Sequence, residues 1–243
     1  SASRGLGDVY KRQVEYPKVG EDLTPARIGV IDLNSMDVTW MKIPGESNKF
    51  YLPRMTWMPN KDKLMIQQLN RKQNHSRYFV ANADNGSTEL LLEDKDEAWI
   101  DVRNTWPYQD KAGWKFINGG KEFLYTTEKD GWSHVYRYDI EKREEFLVTK
   151  GDYDVIRPLS FDEEKGDIYF IASPKDPTER YLYKTSENNE LELVTPKLLE
   201  GTHNYQISTK SRYAFHSFSN YYTRPMQGCL LYTSDAADER RRG

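Results

Sequence analysis

The sequence predicts an all-β fold built from short antiparallel sheets repeated along the chain, and three observations carry that prediction. No segment holds a helical apolar period for three turns. Runs of β-branched and aromatic residues alternate instead with turn chemistry, as at Asp84-Asn85-Gly86, Asn118-Gly119-Gly120, Lys129-Asp130-Gly131 and Glu164-Lys165-Gly166. The segments also recur in a fixed order.

One unit runs Pro53–Pro59, Lys63–Leu69, Arg77–Asp84 and Thr88–Leu92. The next runs Gly113–Ile117, Glu122–Thr127, His134–Asp139 and Glu145–Thr149, and a third runs Arg157–Phe161, Asp167–Ala172, Arg180–Thr185 and Glu190–Thr195. A fourth begins at Asn204–Ser208 and Tyr213–Phe218 and then stops. Ahead of the first full unit, Arg27–Leu33 and Val38–Ile43 match the outer two strands of a preceding one. Third strands repeat an aromatic pattern: Tyr78-Phe79-Val80, Tyr136-Arg137-Tyr138 and Tyr181-Leu182-Tyr183. Four strands in about 40–50 residues is the repeat of a β-propeller blade. The fold expected is a partial propeller of three complete blades flanked by two partial ones; an antiparallel sandwich is the alternative. The first unit is longer than the others because of an insertion between Glu93 and Gly113. That insertion carries Trp99, Arg103, Trp106, Pro107 and Tyr108, residue types that line binding sites or pack a stabilising loop.

Composition agrees with thin aromatic layers. Of the 243 residues, 30% are charged and 37% hydrophobic, yet 13% are aromatic, which argues against disorder. A net charge of -3 gives no reason to expect nucleic acid. No run of about 18 apolar residues marks a transmembrane helix. The single cysteine excludes a disulfide framework and Cys-rich metal sites.

The two ends read differently from the rest. Residues 1–13 (SASRGLGDVYKRQ) and 229–243 (CLLYTSDAADERRRG) resemble translated sequencing-adapter read-through, as found at the ends of metagenomic reading frames. They are expected to be non-native tails that contribute no strands, which makes residues 14–228 an internal piece of a longer protein.

Several stretches carry a family resemblance. Tyr16-Pro17-Lys18-Val19-Gly20-Glu21 and Arg27-Ile28-Gly29-Val30-Ile31-Asp32-Leu33 are followed by Pro53-Arg54-Met55-Thr56-Trp57 and by the run Ile66–Asn74. Then come the run Glu128–Tyr138, Tyr169-Phe170-Ile171-Ala172-Ser173-Pro174, and His216-Ser217-Phe218-Ser219-Asn220-Tyr221-Tyr222-Thr223. In this order they resemble the N-terminal propeller of bacterial dipeptidyl peptidase IV, a serine peptidase of the prolyl oligopeptidase clan. The resemblance implies a propeller that filters peptides reaching a Ser-Asp-His triad in a C-terminal α/β-hydrolase domain, which lies beyond this chain. It implies removal of N-terminal dipeptides without a cofactor, a periplasmic or secreted location, and homodimerisation. Arg103, Trp106 and Tyr108 are the substrate-binding residues it suggests, and no catalytic or metal-binding residue is assigned.

Other motifs have bland readings. Gly131-Trp132-Ser133 copies the start of the family's nucleophile elbow, but the closing glycine is replaced by Val135 at the start of a strand, which makes Ser133 a hairpin residue. Gly45-Glu46-Ser47-Asn48-Lys49 lacks that glycine too. The family's amine-holding glutamates would precede this chain, and Glu144-Glu145 reads as a solvated edge. His75, His134, His203 and His216 show no metal-ligand spacing, and His134 and His216 are expected to be packed or hydrogen-bonded in strands. Two functional classes remain: the substrate-gating part of a dipeptidyl peptidase, or a stand-alone propeller that serves as an interaction platform.

Overall fold

The computed structural model describes residues 20–59, 62–102, 113–185, 190–208 and 210–231. They form five consecutive antiparallel sheets in which the strands lie side by side in chain order. The first sheet is β1 (Gly29–Ile31) and β2 (Val38–Trp40). The second holds β3 (Phe50–Trp57), β4 (Lys63–Asn70), β5 (His75–Asn82) and β6 (Thr88–Lys95). The third holds β7 (Trp114–Ile117), β8 (Glu122–Thr127), β9 (His134–Asp139) and β10 (Glu144–Leu147). The fourth holds β11 (Val155–Asp162), β12 (Asp167–Ala172), β13 (Tyr181–Thr185) and β14 (Glu192–Leu193). The fifth is β15 (Thr202–Ile207), β16 (Tyr213–Ser219) and β17 (Met226–Leu231). This is a partial β-propeller with three complete four-stranded blades.

The fifth sheet corrects one expectation. A third strand follows β16, and its last three residues, Cys229–Leu231, belong to the segment read as a strandless tail. They pair in register with Phe215, Ala214 and Tyr213. Gly228 interrupts the apolar alternation there, which hides the strand from a periodicity argument.

One turn recurs and fixes the register of the repeats. At Asp32, Asn82, Asp139 and Asp162 the side-chain oxygen accepts hydrogen bonds from the amides two and three residues on, at 2.8–3.3 Å. The residue four places on then takes positive φ and donates its amide back to the carbonyl of the first. Asn, Asp and Gly suit this turn because short side-chain acceptors and left-handed backbone are both required. In the second and third sheets it joins third strand to fourth. In the fourth sheet, at Asp162, it joins first strand to second, so it marks one end of the blades and not one particular strand pair. Gly86 has a second duty: a Cβ there would lie 2.1 Å from the Trp40 carbonyl oxygen, and its own carbonyl accepts from Lys42 N at 2.7 Å. That contact seats the second sheet on the first.

The core is divided by blade boundaries. Ile28 and Met41 pack with Leu64, Ile66 and Ala81 between the first and second sheets. Met65, Tyr78 and Leu91 pack with Trp114, Phe123 and Tyr136 between the second and third. Leu124 and Val135 meet Ile168 and Phe170 at the next boundary, and Tyr169 and Ile171 meet Tyr205 and Ala214 at the last. Alternate residues of one strand thus feed opposite clusters, as the period of two requires. Ile168, Phe170 and Ala172 face one neighbour; Tyr169 and Ile171 face the other.

Phe170 is fully buried and lies between Tyr153 and Tyr183. Phe170→Ala should lower unfolding free energy by about 3–5 kcal/mol in a urea titration. Phe146→Ala, on the exposed outer strand β10, should cost less than about 1 kcal/mol.

Candidate functional site

The loops at the two ends of the blades differ in character. At one end, second strands turn into third strands and each sheet passes to the next. The loops there are cross-linked: Ile100 N donates to Gln73 O at 2.7 Å, Val155 N to Ser133 O at 2.7 Å, and Asn220 Nδ2 to Glu200 O at 2.9 Å. Among the described residues, every well-exposed aromatic outside a strand lies at this end: Trp99, Trp132, Tyr221 and Tyr222. Leu198 joins them, and Leu198, Tyr221 and Tyr222 are each more than 90% exposed. The opposite end carries the Asp/Asn turns, with Leu33, Met36 and Leu191 as its exposed apolar loop residues.

Beneath the aromatic end, the boundary between the second and third sheets carries buried polar groups beside its aromatic core. A cavity of about 30 Å³ opens there, lined by Tyr78, Asp94, Trp99, Asp101, Thr127 and Lys129 among others. Asp94 on β6 and Thr127 on β8 are both buried, and Thr127 Oγ1 donates to Asp94 Oδ2 at 2.5 Å across the boundary. Gln67 Nε2 donates to Ser76 Oγ at 2.9 Å and to Tyr78 Oη at 3.1 Å. Lys129 lies over the Tyr136 ring at 4.3 Å, donates to Tyr125 Oη at 3.3 Å, and forms an ion pair with Glu145, to which Tyr125 also donates.

Burial, reinforced by the charge of Asp94, raises the Glu145 carboxyl to about 7, and burial lowers the Lys129 ammonium. Tyr78 is pushed up to about 12 by burial. Glu144 and Glu145 both lie on the exposed edge that the sequence suggested, and the Glu145 side chain, 25% exposed, is held there by Lys129 and Tyr125. The alternating pattern shows which face a strand residue takes, and not that a lysine from a distant turn folds down onto that face.

The described residues place the remaining sequence candidates plainly. Ser133 is buried at the entry to β9; its amide donates to Asp154 Oδ1 at 2.8 Å and its hydroxyl to Val155 O at 3.4 Å. That is a loop tie, not the strand–turn–helix of a nucleophile elbow. His134 Nδ1 contacts Asp130 Oδ2 at 2.8 Å. His203 and His216 face each other on β15 and β16 with Nδ1 and Nε2 2.8 Å apart, stacked among Tyr181, Tyr205 and Phe218. Burial, followed by the charge of His203, lowers His216 to about 4. Among the described residues no three His, Cys, Asp or Glu side chains gather as metal ligands. Arg103, Trp106 and Tyr108 lie outside the described residues.

The family model "Dipeptidyl peptidase IV (DPP IV) N-terminal region" matches residues 3–225. The chain belongs to this family. Dipeptidyl peptidase 4 of Trichophyton rubrum is 22% identical over 228 residues, covering 92% of this chain and 28% of the relative. Inactive dipeptidyl peptidase 10 of Rattus norvegicus is 27% identical over 196 residues, covering 75% of this chain and 24% of that protein. The crystal structure of Porphyromonas gingivalis dipeptidyl peptidase 4 superposes with a TM-score of 0.78 at 23% identity, over 91% of this chain and 31% of the other. That likeness carries the propeller fold. The chain spans less than a third of the length of each of these relatives.

Two groups in this DPP IV N-terminal region give opposite dependences of stability on pH. The Glu145 carboxyl holds its proton to about pH 7 when folded against an ordinary 4.5, so its contribution is full below pH 4.5 and lost as pH rises through 7. His216 binds its proton near 4 when folded against an ordinary 6.5, so its contribution is full above 6.5 and lost as pH falls toward 4. In thermal melts at a series of pH values, Glu145→Gln should flatten the decline toward pH 7. His216→Phe should flatten the decline toward pH 4.

Proposed function

We propose that this chain is the substrate-gating propeller portion of a serine dipeptidyl peptidase that removes N-terminal dipeptides from peptides. The catalytic α/β-hydrolase domain of the same protein would follow it and rest on the aromatic end. The observation that carries this reading is the gathering of Trp99, Trp132, Leu198, Tyr221 and Tyr222 at one end of the blades. Exposed apolar side chains concentrated on one surface favour a covering partner. Family membership supports a hydrolase as that partner. Arg103, Trp106 and Tyr108 would line the chamber between the two domains and contact peptide residues beyond the scissile dipeptide.

In the parent enzyme, Trp106→Ala and Tyr108→Ala should each lower kcat/KM for longer peptides by about 10-fold, with much smaller effects on chromogenic dipeptides. Equal kinetics across peptide lengths would remove these residues from the site. The 243-residue chain alone should release no chromophore from Xaa-Pro substrates.

The rat relative, described as inactive, favours a second reading: a propeller of this family that serves as an interaction platform without catalysis. A parent sequence lacking the nucleophile elbow downstream would select it.

A further inference from the structure

Two Asn-Gly pairs stand in turns of the chain, Asn85-Gly86 between β5 and β6 and Asn118-Gly119 between β7 and β8. An asparagine followed by glycine can cyclise, because no side chain shields the glycine nitrogen from the asparagine side-chain carbonyl. The fold holds the two pairs in opposite ways.

Gly86 is buried and pinned. Its amide donates to Asn82 O at 2.9 Å, its carbonyl accepts from Lys42 N at 2.7 Å, and Asn85 Oδ1 accepts from Ser87 N at 2.8 Å. The Trp40 carbonyl fills the space beside its Cα. Attack by this nitrogen requires breaking its bond to Asn82 and turning a peptide packed against the first sheet.

Asn118-Gly119 is under no such restraint. Both residues are exposed, and nothing lies within 4 Å of the point where a Cβ on Gly119 would sit. The Gly119 amide has no hydrogen-bond partner among the described residues. The turn itself demands the pair. Asn118, Gly119 and Gly120 take φ of 50°, 65° and 82° in succession, and left-handed backbone at successive hairpin positions selects Asn followed by Gly. Asn118 Nδ2 donates to Glu122, the first residue of β8. Gly120 lies against Pro59 of the preceding blade, where an added Cβ would come within 3.2 Å of the ring.

We propose that Asn118 is a site of spontaneous covalent modification in the folded protein, with water as co-reactant. Gly119 N gives its proton to hydroxide and bonds to Asn118 Cγ. The Cγ–Nδ2 bond breaks, and Nδ2 takes a proton from water and leaves as ammonia, closing a cyclic imide. Water then opens the imide at either carbonyl carbon. The products are an aspartate at position 118 or an isoaspartate, in which the main chain runs through the former side chain. Either product replaces the donor to Glu122 with a carboxylate beside it, and like charges at that range repel. The isoaspartate also lengthens the main chain by one carbon next to the tip that abuts Pro59. The hairpin β7–β8 thus acquires a charge with time. This chemistry is independent of the peptidase reading.

The experiment incubates the 243-residue chain at pH 8.5 and at pH 5, folded and in urea. Mass spectrometry of the peptides holding Asn85 and Asn118 reads the conversion of amide to acid, and electron-based fragmentation identifies isoaspartate. In the folded chain at pH 8.5, Asn118 should convert at least about fivefold faster than Asn85, the protection that one retained hydrogen bond supplies. In urea the two rates should converge, because the difference belongs to the fold. Conversion of Asn118 should be slower at pH 5, where little of the attacking nitrogen is deprotonated. Equal rates in the folded chain, a ratio unchanged by urea, or no isoaspartate at position 118 overturns the proposal. For the charge, Asn118→Asp should lower Tm at neutral pH, and the loss should shrink in a Glu122→Gln background. An equal loss in both backgrounds overturns the assigned repulsion. A parent enzyme without peptidase activity would count against the function proposed above and leave these rates unchanged.

Discussion

Everything in this molecule depends on sheets that must be covered on both faces. A four-stranded sheet with one face in water could alternate apolar and polar residues. Here β4, β8 and β12 are buried almost throughout, and each sends alternate side chains to different neighbours. No blade therefore has a core of its own; stability resides in the boundaries, as in other repeat architectures. The aromatic content follows from this, because a boundary between two thin sheets is filled economically by large flat rings. Tyr78, Trp114, Phe123, Tyr125, Tyr136 and Tyr138 fill one such gap.

This constraint explains how much was legible. Residues buried on both faces give continuous apolar runs, and Glu122–Thr127, His134–Asp139 and Asp167–Ala172 were located to the residue. Edge strands have one partner and weaker patterns. β14 shrinks to Glu192–Leu193, and β17 was missed because Gly228 and flanking turn residues break its alternation. The turns were legible as chemistry, although their common geometry around Asp32, Asn82, Asp139 and Asp162 appears only once the backbone is known.

The site was legible as a region and not as a set of contacts. Of the aromatics in the insertion after β6, Trp99 is described at the end of the blades, while Arg103, Trp106 and Tyr108 lie outside the described residues. The Lys129–Glu145 ion pair joins residues from a turn and from an outer strand, separated by β9. Sequence spacing carries no information about such a pairing, since it depends on where the third sheet's turn folds over its own face.

The boundary between the second and third sheets combines aromatic packing with a buried carboxylate, Asp94. Uncompensated charge in a blade interface is costly, and apolar side chains of similar volume would stabilise it at least as well. Its position argues for a reason beyond packing. It lies beneath Trp99, opens into the cavity, and pairs Asp94 on one sheet with Thr127 on the next. Directional bonds hold the two sheets in one relative setting, because a slide would break Thr127–Asp94 at one end and Arg143–Glu89 and Tyr138–Leu91 at the other. An apolar interface tolerates such a slide. The second and third sheets are thus held in register at both ends of their shared boundary.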